Sequence, residues 1–398
     1  MQKNITSVKG FKCWGAHIGI KSKRRDLAII HSTRPGSSAA VFTRNIVKAE
    51  PLKISMKNIE DGIIQTIVIN SGNANACTGD QGREGALAML EASATHLNVK
   101  PEHVLIASTG IIGEAFPTEK VVKGIEENAK KLSNRQVAGS FTANAILTTD
   151  TFAKEGHTEF EIGGKAINLA GIAKGSGMIH PNMGTMLGFL VCDLAISPVL
   201  LKEALKDAVE KTFNMITVDG DTSTNDMVAI ICNGMAENPE ITSKDGNYEK
   251  FKKNLDKICL FLAKAIVSDG EGATKFVEYR VENAPDEKAA RQVVRVVSDS
   301  NLVKTAIFGR DPNWGRIIAA AGRSGVDFNP EEIDLRINGV DILVNGRPAD
   351  HDRTNLKRKM RASTIKILLD LKNGTSSATG WGSDLSYEYV RFNSAYTT

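Results

Sequence analysis

A single threonine lies at the junction between a glycine-rich segment and an apolar run. The stretch from Lys174 to Asp193 reads KGSGMIHPNMGTMLGFLVCD, in which Thr185 follows glycines and a proline and precedes apolar residues as far as Ile196. This pattern predicts an irregular loop that feeds a buried strand. Backbone geometry at such a boundary can be unusual, so the Thr185 hydroxyl is a candidate for chemistry. A purely structural loop before a core strand has the same composition.

Hydroxyl and amide groups also follow two predicted strands in the first third of the chain. The strand predicted at Ile63 to Asn70 ends in SGNANA, and the short strand Val104 to Ala107 ends in Ser108-Thr109-Gly110. A Thr-Gly step after a strand can direct a hydroxyl and a backbone N–H into a site, where they can hold a developing oxyanion. Taken alone, Thr109-Gly110 is better explained as a turn, and an Asn/Gly-rich loop between a strand and a helix is more often structural.

Other polar segments have both a local and a functional interpretation. The threonines around Asp150, in TTDT, can cap a turn through their hydroxyls. Lys174, between Ala173 and Gly175, has few structural reasons to be present. The GEGATK segment that ends in Lys275 is not a phosphate loop, because no glycine directly precedes the lysine. The acidic segment VDGDTSTNDM, residues 218 to 227, could suggest calcium, but it lacks the spacing and closing glutamate of an EF-hand.

Strand and helix patterns alternate along the chain, which predicts an α/β protein. The first seventy residues indicate strands and turns, with TRPGSS as a turn between Asp26 to His31 and Ala39 to Phe42. From about residue 280 the pattern predicts a smaller C-terminal α/β domain. Further helices are predicted at Gln81 to Leu97, beginning at Pro117-Thr118, and at Ser197-Pro198 to Asn214, Tyr248 to Ile266 and Asp286 to Val297. Further strands are predicted at 276 to 282 and Ile365 to Leu371. Hairpin turns are predicted at Gly163-Gly164, Asn338-Gly339 and Asn345-Gly346.

Composition limits the class of protein. The chain has 398 residues, which predicts two or more domains, and 41% of them are hydrophobic and 24% charged, as in an ordinary soluble protein. A net charge of +4 does not favour a nucleic-acid binder. The five cysteines are widely spaced with no C-x-x-C pair, and no apolar run has the length of a signal peptide or a membrane span, so we expect a cytoplasmic protein with no membrane partner.

Eight short sequence motifs, in their spelling and their order, resemble those of the ornithine acetyltransferase family, the glutamate N-acetyltransferases of arginine biosynthesis. They are NSGNANACTG, STGIIG, TTDT, KGSGM, VDGDTSTND, GEGATK, GRDPNWGR and NSAYTT, and they extend over essentially the whole chain. The resemblance implies a layered α-β-β-α sandwich like that of amino-terminal-nucleophile enzymes. It also implies self-cleavage between Gly184 and Thr185, giving an alpha chain of residues 1–184 and a beta chain of residues 185–398, two copies of each forming the assembly. The family usually has alanine before the threonine, and Gly184 leaves its carbonyl equally open to attack.

The resemblance also implies the roles of individual residues. Thr185 is the nucleophile, and Thr109 and Gly110 form the oxyanion hole. The substrates are N-acetylornithine and glutamate. No cofactor is required, and we expect no metal, because the family carries almost the same VDGDTSTND segment without one. Acetyl-CoA is a possible second acetyl donor. The residues implied in substrate binding are Thr148, Lys174, Thr185, Glu271, Asn393 and Thr398.

The chemistry of an amino-terminal threonine supports this interpretation. An internal threonine is a poor nucleophile, because its hydroxyl stays protonated and no basic residue adjoins Thr185. Cleavage before it would release an α-amine with a pKa of about 7.7 to 8.0, which can accept the hydroxyl proton. The alternatives are an amidohydrolase or aminopeptidase with the same nucleophile, and a non-enzymatic metabolite-binding protein in which Thr185 merely ends a loop.

Overall fold

The computed structural model describes residues 3–180 and 186–395, and in these residues the strands form two mixed sheets. The α/β class predicted from the sequence is therefore confirmed. The first sheet has the order β4-β3-β2-β9-β7-β6-β5, with β1 paired to β2, and the second has the order β13-β12-β11-β14-β10-β15-β8. The strands of the first sheet are β1 (Phe11–Ala16), β2 (Leu27–Phe42), β3 (Ile63–Asn73), β4 (Val104–Ile111), β5 (Lys154–Ile162), β6 (Lys165–Lys174), β7 (Leu187–Cys192) and β9 (Met227–Cys232). Those of the second are β8 (Ile216–Thr217), β10 (Phe276–Ala284), β11 (Asp334–Ile337), β12 (Val340–Val344), β13 (Arg347–Pro348), β14 (Thr364–Asp370) and β15 (Ser376–Ser383).

Helices cover both faces of the first sheet. Helix α4 (Gln136–Ala145) packs against β1 and β2, and α2 (Gly79–Leu97) packs against β4. Helix α5 (Pro198–Lys211) packs against β2, and α6 (Gly246–Ser268) packs against β5 and β6 and also contacts β8 and β15 of the second sheet. The predicted helices are found within a few residues of their expected bounds; the one expected to reach Asn214, for example, ends at Lys211. The helices are α1 (Glu50–Asn58), α2 (Gly79–Leu97), α3 (Thr118–Ala129), α4 (Gln136–Ala145), α5 (Pro198–Lys211), α6 (Gly246–Ser268), α7 (Glu287–Ser298), α8 (Asn301–Phe308), α9 (Trp314–Gly322), α10 (Arg353–Lys359) and α11 (Tyr387–Ala395).

The apolar run after residue 185 forms the buried strand β7, as predicted. All six of its residues are buried, and it lies between β6 and β9. Leu187, Phe189 and Val191 pack in the core on one face of the sheet, and Leu190 and Cys192 pack in the core on the other. Burial on both faces explains why the run is continuously apolar rather than alternating. In register, Leu187 pairs with Lys174 of β6, which brings this lysine to the beginning of β7.

The predicted turn at TRPGSS is wrong. These residues lie inside the single strand β2, which runs from Leu27 to Phe42. The register of β2 against β3 shifts between His31 and Gly36, and from Ser37 the strand also pairs with β9. Proline and glycine are tolerated at such an irregularity because the ladder is locally interrupted there.

The second sheet contains the predicted C-terminal hairpins. Asn338 and Asn345 adopt positive φ angles of 48° and 51°, each followed by glycine, as tight hairpin turns require. Strand β8 joins this sheet from a position well before residue 280. The domain boundary at about 280 and the division into residues 1–184 and 185–398 stay predictions. In the described residues, no helix is long and apolar enough to cross a membrane.

Candidate functional site

Polar residues at or after the ends of several strands of the first sheet line one cavity of about 560 Å³. Leu187 and Met186, at the beginning of β7, form part of its wall. Three of the predicted site residues, Gly184, Thr185 and Thr398, lie outside the described residues. All the other predicted site residues line this cavity, namely Thr109, Gly110, Thr148, Lys174, Glu271 and Asn393. Their assigned roles stay predictions.

The Thr109-Gly110 pair lies at the end of β4, which is parallel to β3. Gly110 has a φ of +135°, and a Cβ there would lie 2.3 Å from the carbonyl carbon of Gly72. Two backbones therefore approach each other at a distance that only glycine permits. Gly72 and Gly110 both line the cavity, so this close approach lies in its wall beside Thr109.

Lys174 is the last residue of β6 and is almost fully buried beside Thr109. Its Nζ donates a hydrogen bond to the Thr109 hydroxyl oxygen at 3.2 Å. Burial lowers the pKa of Lys174, and the carboxylates of Asp150 and Glu271 offset part of that effect. Because the Thr109 oxygen accepts from Lys174, the Thr109 proton is left to point at another acceptor, such as a substrate oxyanion.

Below the cavity, Lys154 forms ion pairs with two buried carboxylates. Its Nζ lies 2.7 Å from Asp150 and 2.5 Å from Asp269, and all three side chains are at most 2% exposed. Burial raises the pKa of Asp150, but the charges of Lys174 and Lys154 outweigh this, and the pKa lies at about 2, below its ordinary value. The cluster therefore contributes two negative charges and one positive charge, and Lys174 supplies a second positive charge nearby.

This cluster positions three of the predicted binding residues through their backbone. Asp150 accepts hydrogen bonds from the N–H of Thr148 at 3.0 Å and of Gly175 at 2.7 Å. The hydroxyl of Ser176 donates to the Asp269 carbonyl at 2.5 Å, and the N–H of Glu271 donates to the Ser176 carbonyl at 3.0 Å. The Asp150 carboxylate thus holds the backbone at Thr148 and directly after Lys174, and Glu271 is linked through Ser176 to the main chain of Asp269.

The C-terminal helix α11 closes one side of the cavity. The Asn393 amide donates to the Glu271 carboxylate at 3.0 Å, and the Tyr389 hydroxyl donates to Asp219 at 3.3 Å. Asp219 also accepts from the N–H groups of Met178 and Ile179 at 2.6 and 2.8 Å. Tyr389 and Asn393, close to a terminus that sequence alone would describe as frayed, are therefore held at the site.

Sequence reasoning missed the loop that carries Lys21 and Arg24. The buried Asp26 carboxylate orders this loop by accepting from the N–H groups of Ile18, Ile20 and Lys21. Both basic side chains line the cavity, and burial lowers the pKa of Lys21 to about 8. A basic run such as KSKRRD, residues 21–26, ordinarily indicates a solvated surface. The available sequence signal for an ordered loop was Asp26, the acidic residue that ends this run.

The cavity combines cationic and anionic groups within a volume suited to a small molecule. Lys21, Arg24 and Lys174 can bind a carboxylate, while Glu271 and Asp219 can bind an ammonium group. An amino acid carries both of these charges. The arrangement therefore favours an amino-acid substrate beside Thr109 and Gly110, the predicted oxyanion donors.

Comparison with known proteins gives one consistent result. The model of the ArgJ family matches residues 12–398. The arginine biosynthesis bifunctional protein ArgJ of Staphylococcus epidermidis is 48% identical over 396 residues, covering 99% of this chain and 98% of its own. That of Thermotoga neapolitana is 47% identical, covering 98% and 99%. A crystal structure of the Bacillus halodurans protein of the same name is 42% identical with a TM-score of 0.50, covering 51% of this chain and 96% of that one. The chain belongs to the ArgJ family.

Proposed function

We propose that this protein is an acyltransferase of arginine biosynthesis that moves the acetyl group of N2-acetyl-L-ornithine to L-glutamate. The observation that carries the proposal is the arrangement of Lys174 and Glu271, which present opposite charges in the cavity that also contains Thr109 and Gly110. Membership of the ArgJ family supports it. Carboxylate and ammonium recognition beside two oxyanion donors is what acetyl transfer between amino acids requires.

The proposed cycle is ping-pong with a covalent acetyl-threonine intermediate. Cleavage between Gly184 and Thr185 frees the α-amine of Thr185, which takes the proton of its own hydroxyl. The hydroxyl attacks the acetyl carbonyl of N-acetylornithine, and the Thr109 hydroxyl and Gly110 N–H stabilise the oxyanion. Ornithine leaves with the proton, and the α-amine of glutamate attacks the acetyl-enzyme in the reverse sense.

Both substrates use the same charged groups in turn. Lys174, with Thr148 of the same cavity, pairs with a substrate carboxylate, and Glu271 with Asn393 binds the side-chain ammonium of acetylornithine. Thr398 is proposed to complete this binding from the chain end. The closure of the site by α11 keeps water from the acetyl-enzyme, because water would otherwise turn the transferase into a hydrolase.

Denaturing intact-mass analysis of the wild type and Thr185→Ala tests the nucleophile. We expect two wild-type fragments, residues 1–184 and 185–398, with one acetyl group added to the second after exposure to N-acetylornithine. The variant should stay whole. An intact, folded wild type with no acetyl adduct would instead favour the metabolite-binding protein.

The acceptor of the acetyl group, glutamate or water, distinguishes the transferase from an amidohydrolase. Wild-type protein is incubated with N-acetylornithine in the presence and absence of glutamate, and N-acetylglutamate and acetate are quantified. We expect N-acetylglutamate with little acetate. Acetate release at the same rate with or without glutamate would identify an amidohydrolase.

The same proposal includes expectations for the assembly, the second acetyl donor and the cellular location. We expect two alpha and two beta chains in the assembly, which native mass spectrometry measures directly. Acetyl-CoA is a second candidate donor, to be tested as the sole acetyl source with glutamate. A cytoplasmic location agrees with the free thiols of the cysteines, four of which are buried.

A further inference from the structure

Asn225 is a buried asparagine of the VDGDTSTNDM segment, to which the proposed mechanism gives no role. It lines the cavity, although only 4% of the residue is exposed. Its Nδ2 donates two hydrogen bonds, to the Ala74 carbonyl at 2.6 Å and to the Ser108 carbonyl at 2.8 Å. A primary amide has two N–H groups, so both donors are used within the protein and neither is left for a substrate.

The two carbonyls that Asn225 holds are linked to both sides of the Thr109-Gly110 pair. The Ser108 carbonyl belongs to the peptide bond that directly precedes Thr109. The N–H of Ala74 donates at 2.9 Å to the carbonyl of Ile111, the residue that directly follows Gly110. One side-chain amide is therefore connected to β4 directly before the pair and, through Ala74, directly after it.

The orientation of the Asn225 amide is itself fixed. The Thr224 hydroxyl donates to the Asn225 Oδ1, which leaves Nδ2 facing the two carbonyls, groups that can only accept. The Asn225 N–H donates to the Ser223 hydroxyl at 3.1 Å, and the carbonyl of Asp226 accepts from the N–H of Thr43 at 3.0 Å. Because Thr43 directly follows β2, the main chain that carries Asn225 is attached to the first sheet.

The Thr109-Gly110 pair lies where the ladder between β3 and β4 becomes irregular. The register shifts between Gly72, which pairs with Gly110, and Asn73. Oxyanion donors are effective only when they point at the position where the charge develops, and a misplacement of about 1 Å can lower a rate roughly 100-fold. Anchors at Ser108 and Ile111 restrict the short backbone between them, which carries both predicted donors.

We propose that Asn225 is a positioning residue that holds Thr109 and Gly110 in the orientation in which they stabilise the oxyanion. This inference rests on the proposed function, since it takes these two residues as the oxyanion donors. Both half-reactions pass through a tetrahedral intermediate on the same acetyl carbon, so both need the same donors. Loss of the Asn225 hydrogen bonds should therefore slow acetylation and deacetylation of the enzyme to a similar extent, whereas substrate binding, which uses other groups, should change little.

Replacement of Asn225 by aspartate leaves at most one donor at almost constant volume. The matched control is Asn233→Asp at the other end of β9. Asn233 is 3% exposed, and its Nδ2 likewise donates twice, to the Lys9 carbonyl at 3.0 Å and to the Ser32 hydroxyl at 3.1 Å. Both variants should therefore lower the thermal midpoint by similar amounts.

Rapid-quench mass analysis of the two half-reactions separates positioning from stability. Each rate is divided by the fraction of cleaved protein in the sample. We expect Asn225→Asp to lower both maximal rates about 10- to 100-fold, with half-saturating substrate concentrations within a few-fold of the wild type. Asn233→Asp should keep the wild-type rates. Wild-type rates in folded Asn225→Asp, or equal losses in the two variants, would overturn the positioning role and leave the transferase intact.

A crystallographic measurement does not depend on self-cleavage. In the Thr185→Ala background, Asn225→Asp should displace the backbone at Thr109 and Gly110 by about 0.5 Å or more, whereas Asn233→Asp should not. Unchanged positions in Asn225→Asp would also overturn the inference. A wild type that transfers no acetyl group would instead overturn the proposed function.

A milder variant decides the question should Asn225→Asp fail to fold. Thr224→Val removes only the hydroxyl that orients the Asn225 amide, at almost constant volume. Loss of one hydrogen bond to this amide should lower both maximal rates by the same factor, about threefold or more. Wild-type rates in folded Thr224→Val would then overturn the inference.

Discussion

The ammonium of Lys154 lies 2.5 Å from the carboxylate of Asp269, and both side chains are buried. Asp269 caps the end of α6, directly before the segment that carries Glu271, whereas Lys154 begins β5. The pair therefore ties the second half of the chain to the strand that follows Thr148. Through Asp150, the same lysine is also linked to Gly175 and hence to Lys174.

Replacing Lys154 by methionine should strongly destabilise the protein. The change leaves Asp150 and Asp269 buried and close together without their shared cation, which typically costs about 3–5 kcal/mol. Urea denaturation of the inactive Thr185→Ala background measures the loss without interference from cleavage. The control is Lys252→Met, whose partly exposed ion pair with Asp207 should contribute less than about 1 kcal/mol. Equal losses in the two variants would contradict a structural role for the buried cluster.

Alanine should be far more damaging at Gly110 than at Gly113, because both positions have a strained positive φ but only Gly110 lacks the space for a Cβ. A Cβ at Gly110 would approach the backbone of Gly72 to 2.3 Å, and its φ of +135° is strained for alanine. Gly113 also has a positive φ, +82°, but no atom lies within 4 Å of its Cβ position. We expect Gly110→Ala to abolish acetyl transfer and to lower the thermal midpoint well below that of Gly113→Ala, which should keep most of its activity. Similar behaviour of the two variants would show that the close approach is not required.

The elements with strong periodicity could be predicted from the sequence. The strand after residue 185, helix α6 and the hairpins at Asn338 and Asn345 depend on local patterns, and these patterns agree with the burial that the fold imposes. The sequence motifs that resemble the family also predicted six site residues that line one cavity. For β2, by contrast, the turn-forming residues TRPGSS suggested a break, because local propensity does not report that pairing with β9 continues the strand.

The charges around the site could not be predicted in the same way. Lys154 pairs with Asp269, which lies 115 positions away, and only the tertiary fold brings them together. Lys21 was hidden in a basic run, and its burial depends on the hydrogen bonds of Asp26 to the loop backbone. Sequence patterns indicate which segments are buried, but they carry little information on which distant polar side chains meet there.

Binding of glutamate should weaken above about pH 8. Burial lowers the pKa of Lys21 to about 8, so the free protein loses this charge as the pH rises from 7 to 9.5, and one attraction for a carboxylate is lost. Calorimetric titration of Thr185→Ala with glutamate measures this without turnover, and we expect roughly tenfold weaker binding at pH 9.5.

The contribution of Lys21 is isolated by substitution in the same background. Lys21→Met should bind glutamate more weakly at pH 7 and lose less affinity as the pH rises, because the titrating charge is gone. Lys12→Met, which removes an exposed lysine of β1, should follow the parent. A Lys21→Met profile identical to that of the parent would assign the pH dependence to another group, such as Lys174.

Glu271→Gln should impair the first half-reaction more than the second. Glu271 lines the cavity and accepts from Asn393, and in the proposed cycle it binds the side-chain ammonium of acetylornithine. Glutamate has no such ammonium, since its α-amine must be neutral to attack the acetyl-enzyme. Loss of a charge-assisted hydrogen bond predicts a KM for acetylornithine raised roughly 10- to 100-fold.

Rapid-quench mass analysis resolves the two half-reactions for this variant. Formation of the acetyl-enzyme from acetylornithine should require much higher substrate concentrations in Glu271→Gln, whereas its discharge by glutamate should stay within a few-fold of the wild type. Glu119→Gln, at an exposed position in the first turn of α3, provides the control for the substitution itself. Equal impairment of both half-reactions would mean that Glu271 supports the architecture of the cavity rather than recognising ornithine, because a structural defect does not distinguish the two substrates.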